Sequence, residues 1–305
     1  MNAERIAELT RPLTDFRVLS MKGATAHELS QYKALPGTLC YPTGDFTALP
    51  YHEKRYLLAY AAARSSTGSV LVARSAARIW NMWVIATSTE TIELALKSGK
   101  ASPSRANSER YTYRYGTLSD SDITTVHGVS VTSAIRTFVD IARYHGFAEG
   151  LVAADCLLNN GFTRNEIRQY IEAMGRKKGI ATVRRCLEHA IDRSESPYES
   201  YARALLIEAG IDDITAQFQI GRFRPDLCIG GWLLIEIDGR KKYEGEDGQK
   251  LAYKDLMRQR EIENQGYVFR RVSPEFLLKY PDKFVDDILM VIEARRRGPV
   301  ERAQS

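Results

Sequence analysis

Apolar residues recur at helical spacing over 53–64, 75–83, 133–145, 148–158, 163–174 and 180–191, which predicts six helices before residue 192. Between them VLVA, TIELAL, RYTYRYG and the turn VHGVSV predict short strands of an α+β layer. The polar run DRSES at 192–196 marks a boundary, because the pattern beyond it changes. A helix over 197–209 ends at Gly210, and three strands follow, TAQFQI, FRPDLCI and WLLIEID, turned at Gly221 and Gly230-Gly231. A helix from about 251 to 265 stops at Gly266, then come the strand YVFRRV and a terminal helix over 284–296. The predicted class is α/β: a mostly helical α+β domain over 1–192, an αβββαβ domain over 193–297, and a tail over 298–305.

Length agrees with two cores, since 305 residues at ~150 per domain give about two. With 44% hydrophobic and 27% charged residues the chain is globular in composition, and no repeat of 20 to 50 residues is present. No apolar run reaches the ~20 residues of a membrane span. The opening MNAERIAELT carries two acids before any apolar stretch, so a cytoplasmic protein without membrane contact is expected. Cys40, Cys156, Cys186 and Cys228 form no CxxC pair and the five histidines never fall at ligand spacing, which argues against structural zinc and a disulfide framework. The net charge of +5 is too small to indicate nucleic acid by itself.

Chemistry concentrates in the last third. Alternation puts Asp226 on one strand and Glu236 with Asp238 on the same face of the next. A tight hairpin would bring these carboxylates within reach of one hard divalent cation, Mg²⁺ or Mn²⁺. A surface hairpin also carries acids for solubility, but WLLI reads as a strand buried on both faces, and acids at its end are costly unless paired or metal-bound.

Arg240, Lys241 and Lys242 follow at once and either contact a phosphate or form a solvated loop. In the next helix Lys254 and Arg258 share a face beside Asp255, as a phosphate contact led by Arg258 or as a solvated face. Glu199 has two readings: the N3 arm of a capping box begun by Ser196, or a further acid aimed at the metal from a helix N-terminus. Farther upstream, Trp80 reads as core and Arg136 with Asp140 as an ion pair locking a helix, so neither they nor Ser75 and Thr137 are assigned a function. The basic stretch Arg176-Lys177-Lys178 with Arg184-Arg185 either tracks a phosphate backbone or solvates a helix pair.

The strings SESPYES, RPDL, IEIDGRKKY and DLMRQREIENQGYVFRRV together resemble the very-short-patch-repair-like endonuclease domains of the PD-(D/E)xK superfamily, over about residues 194 to 280. The resemblance implies a restriction-endonuclease-like fold with a divalent-metal phosphodiesterase site. Asp226 matches the acid of the PD pair, Glu236 the second metal ligand, Asp238-Gly239 the end of the core strand, and Glu199 a helix acid that completes such sites. Lys242-Tyr243, Asp255 and Arg258 match a Lys-Tyr pair and an acid and arginine of the following helix. The superfamily lysine two residues after Glu236 is replaced by Asp238, so Lys242 substitutes from the loop, or the site is slow or inactive. The histidines of the mismatch-repair branch are absent as well.

Residues 35 to 195 resemble AbiEi-type antitoxins of abortive-infection systems of phage defence, through LCYPTGD, VLVARSAARIWNM and VHGVSVTSAIRTFVDIARYHG. That resemblance implies a non-catalytic domain that binds DNA or a partner, with residues 1–45 as a degenerate winged helix. The segment 16–41 carries Arg17, Lys22 and Lys33 without a clear recognition helix. Two functions follow as expectations. One is a metal-dependent DNA endonuclease or nickase with an N-terminal targeting module, where a single site per chain nicks unless a homodimer pairs two sites. The other is an antitoxin-like regulator that binds DNA, a cognate toxin or another defence protein through a catalytically silent nuclease fold.

Overall fold

The structure, a computed structural model, describes residues 1–66, 68–97, 109–238 and 248–297, the side chains of 248–255 excepted. The fold is mixed α/β and divides into two compact units, Met1–His189 and Ala190–Ser305. None of the described helices is long and apolar enough to cross a membrane.

The first unit opens with α1 (Ala3–Thr10), β1 (Thr14–Asp15), α2 (Phe16–Met21), α3 (Ala26–Ser30), β2 (Tyr32–Ala34) and β3 (Leu39–Pro42). The three strands form an antiparallel sheet in the order β1-β3-β2. Helix α3 is started by a reciprocal capping box between Thr25 and Glu28. At five and six residues, α3 and α2 are too short to show an apolar period, which is why the sequence revealed no recognition helix.

Next come α4 (Thr43–Ala48), α5 (Tyr51–Arg64), β4 (Ser69–Leu71), α6 (Ala73–Trp80), β5 (Ile92–Leu96), β6 (Tyr111–Tyr113), β7 (Ile123–Val126), β8 (Val129–Thr132), α7 (Ala134–Asn159), α8 (Arg164–Met174) and α9 (Ile180–His189). The strands make a mixed sheet, β6-β5-β4-β8-β7. Its apolar side chains, Leu71, Leu94 and Val131 among them, share a core with Tyr56 and Leu57 of α5 and Ile79 of α6. Two predicted helices merge in α7, but Gly146 at φ 87° and ψ −170° breaks the helical path between them.

Charges buried in this unit are bound to one another. Glu93 on β5 accepts from the backbone N–H of Arg74 (3.1 Å) and from Arg114 Nε (2.8 Å), and His145 Nε2 lies 3.0 Å away. Arg74 Nε donates to Glu149 at 2.7 Å, and Thr87 caps the same carboxylate. The residues that invited functional guesses belong to this scaffold. Ser75 Oγ accepts from Glu93 N, Trp80 Nε1 donates to the Thr132 carbonyl, and Thr137 bonds Thr132. Arg136 Nε donates to Asp140 at 3.0 Å, as the i, i+4 spacing predicts.

The second unit runs α10 (Pro197–Glu208), β9 (Ile214–Ala216), β10 (Leu227–Ile229), β11 (Leu233–Ile237), α11 (Gly248–Asn264), β12 (Val268–Val272), α12 (Pro274–Lys279) and α13 (Pro281–Arg297). The order is αβββαβαα, one helix more than the pattern predicts. The extra helix, α12, begins at a Ser273 cap followed by Pro274 and is only six residues long. The sheet order is β12-β11-β10-β9, antiparallel except for the parallel pair β11–β12. Strand β9 stops short of the predicted 215–220 because Gln217 adopts φ 53°, which interrupts the extended path. Leu234, Cys228 and Phe269 pack with Ile262 of α11 on one face of the sheet.

Candidate functional site

Pairing of Leu227 with Ile235 in the antiparallel hairpin puts Asp226, one residue before β10, opposite Glu236. Asp226 Oδ2 accepts from the backbone N–H of Ile237 at 2.7 Å. Burial, joined by the charges of Glu199, Glu236 and Glu195, pushes the Asp226 carboxyl up to about 7 against that hydrogen bond. An acid in such surroundings has a strong demand for a cation or a proton. Among the described residues no cationic side chain forms an ion pair with it.

Glu199 lies in the first turn of α10 and is 7% exposed. Ser196 Oγ accepts from its backbone N–H at 3.2 Å, which is half of the expected capping box. The other half goes elsewhere: Glu199 Oε2 accepts from Glu195 N and from Gln217 Nε2, both at 2.9 Å. The left-handed Gln217 therefore serves Glu199 with its side chain, while its own N–H donates to the Asp226 carbonyl at 2.8 Å.

Glu236 meets two arginines. Arg258 of α11 approaches Oε1 to 3.5 Å, and Arg271 of β12 approaches Oε2 to 3.7 Å. Arg271 is the β12 residue in register with Glu236. Both distances lie at or beyond the limit of a hydrogen bond. Glu236 Oε2 and Arg258 Nε are buried atoms without a hydrogen-bond partner. The Arg258 guanidinium rests 5.2 Å from the centre of the Phe223 ring.

Asp238 lies just past β11, is 9% exposed, and donates its N–H to the Val272 carbonyl. It lines a hollow with Arg271, Ser273, Phe276 and Phe284, toward α12 and α13. The expected convergence of three acids therefore reduces to an opposed pair, Asp226 and Glu236, with Glu199 bound through Gln217 behind Asp226. Among the described residues no three His, Cys, Asp or Glu side chains stand together as a metal-ligating group. Arg240, Lys241 and Lys242 lie outside the described residues. Lys254 and Asp255 belong to α11, and their side chains also lie outside them.

Arg271 and Gln217 escape sequence reasoning. Alternation in YVFRRV shows that Phe269 and Arg271 share a face, but only the register of a distant parallel strand brings Arg271 beside Glu236. No signal in the sequence announces the left-handed Gln217. Comparison of the chain with protein-family models gives no matching family, and comparison with curated proteins gives no match.

Proposed function

We propose that the chain is a metal-dependent DNA endonuclease or nickase whose site lies in the second unit, with the first unit as a targeting or regulatory module. The observation that carries this reading is the opposition of Asp226 and Glu236. One is a half-buried acid without a cationic partner among the described residues, and the other holds a buried oxygen without a hydrogen bond. Those features suit Mg²⁺ or Mn²⁺, which Asp226 and Glu236 would hold with Glu199 behind them. Such an ion, when bound, lowers the pKa of a water ligand to make a nucleophile for in-line attack on phosphorus. Arg258 and Arg271 stand where they can donate to phosphate oxygens, and Lys242, Arg240, Lys241 and Lys254 are the further cations the sequence offers.

The αβββαβ order, with an acid-bearing hairpin and a parallel fourth strand, supports a restriction-endonuclease-like fold for residues 193–297. At the other end, the order α1-β1-α2-α3-β2-β3 with its β1-β3-β2 sheet supports a degenerate winged helix over residues 1–45. It supports the resemblance to AbiEi-type antitoxins. Fold alone assigns no activity, so the site residues carry the proposal.

A second reading rests on Glu236 itself. Two arginines already neutralise it, and Asp238 stands where the superfamily has lysine, which favours an antitoxin-like regulator that binds DNA or a toxin through a silent nuclease fold. Labelled duplex DNA, single-stranded DNA and RNA, each incubated with the protein in Mg²⁺ or Mn²⁺ and again in EDTA, separate the readings. DNA cleavage that stops in EDTA is the expected result. Binding of duplex DNA without cleavage under every metal condition would favour the regulator.

A further inference from the structure

We propose that Arg258 and Arg271 form a latch on Glu236 that is released to the phosphate when a divalent cation and a phosphodiester occupy the site together. The inference rests on the nuclease reading and names what its site selects: a metal and a phosphodiester jointly, in preference to either alone.

Geometry supplies the argument. Strands β11 and β12 run parallel with Glu236 and Arg271 in register, so the two side chains emerge as neighbours on adjacent strands about 4.8 Å apart. Arg258 reaches the same carboxylate from α11. A carboxylate held by two guanidiniums ordinarily forms short, bidentate hydrogen bonds. Here the contacts are 3.5 and 3.7 Å, and one atom on each side of the pair, Glu236 Oε2 and Arg258 Nε, is buried with its hydrogen-bonding capacity unused. Buried polar atoms seldom stay unsatisfied, so this pair is a poor final partner for both of its members.

The chemistry of the missing partner follows from the charges. A divalent cation alone would satisfy Glu236 and Asp226 but would face two arginines. A phosphodiester alone would satisfy the arginines but would face Asp226, Glu236 and Glu199. Only the two together supply a cation to the carboxylates and oxygens to the guanidiniums. The latch also accounts for the acid at the usual lysine position: with Asp238 there, the positive charge comes from the neighbouring strand and helix instead.

The test uses the full chain and the variants Arg271→Ala, Arg271→Gln and Arg270→Ala. Arg270 donates to the carbonyl of Phe269 and serves as the control. Mn²⁺ affinity is measured by calorimetric titration without DNA, and duplex DNA affinity by anisotropy in Ca²⁺. Removing the Arg271 charge should tighten Mn²⁺ binding about fivefold, the size of a partly exposed ion pair. The same variants should bind duplex DNA about tenfold more weakly and nick on the order of 10²-fold more slowly. Arg270→Ala should match the wild type in both titrations. Arg271→Gln, which keeps the side-chain length, must repeat the Mn²⁺ result. Mn²⁺ affinity in the Arg271 variants equal to or weaker than wild type would overturn the latch while leaving the nuclease reading in place. A wild-type protein that binds no Mn²⁺ even with duplex DNA present, and cleaves no DNA, would overturn the nuclease reading instead.

Discussion

Asp226 is the residue at which stability and the proposed function part. A carboxyl whose folded pKa is raised to about 7 from an ordinary value of 3.8 binds its proton more tightly in the folded state than in the unfolded one. Stability therefore falls as pH rises from about 4 to about 7 in metal-free protein, and the full penalty, on the order of 4 kcal/mol, applies above that window. Asp226→Asn, which has no charge to bury, should be the more stable protein at pH 8 and should lose its advantage near pH 4. Urea unfolding at the two pH values checks this, and a variant less stable than wild type at pH 8 would contradict it. Site residues were legible in part. Period-two alternation placed Asp226 and Glu236, because a strand's faces are fixed by its backbone. Arg271 and Gln217 were not legible, because one depends on a register between strands far apart in sequence and the other on a backbone conformation that its side chain type does not favour.

Elements with a clear period were readable along most of the chain: the helices α5 to α11 and the strands β4 to β6, β8, β11 and β12 lie where the pattern puts them, while β7 precedes the predicted VHGVSV and β10 keeps only the end of FRPDLCI. Short pieces set by caps or local turns, α2, α3 and α12, were not, since five or six residues hold too little periodicity. Within α7 the pattern showed two helices but not the contact they make. Gly150 lies so close to the preceding segment that an added Cβ would fall 2.7 Å from Ala142 Cβ and from Cys186 Sγ, and 2.9 Å from Ala142 Cα. Gly150→Ala should destabilise the protein by about 1–3 kcal/mol, as overpacking does in a filled core. Chemical denaturation reads this directly. The same substitution at Gly161, where nothing lies within 4 Å, tests φ strain alone.

At the scale of the whole molecule, the two units treat buried charge differently. In residues 1–189 Glu93, Glu149, Arg74, Arg136 and Asp140 satisfy one another through hydrogen bonds, which is the signature of a scaffold. In residues 190–305 Asp226 is half-buried without a cation among the described residues, and Glu236 and Arg258 keep unused hydrogen-bonding atoms. The first unit also has Arg55 Nε without a hydrogen bond, but that arginine is ion-paired with Glu90, whereas Asp226, Glu236 and Arg258 gather at one hairpin; this favours the second unit for the proposed chemistry, and it was invisible in composition, where the net charge is only +5. The most direct measurement is relaxation of supercoiled plasmid by the full chain in Mg²⁺ or Mn²⁺, beside Asp226→Ala, Glu236→Ala and an EDTA control. Nicking by the wild type, lost with EDTA and reduced at least about 10²-fold in both variants, is the predicted result; undiminished nicking by Asp226→Ala would contradict the account.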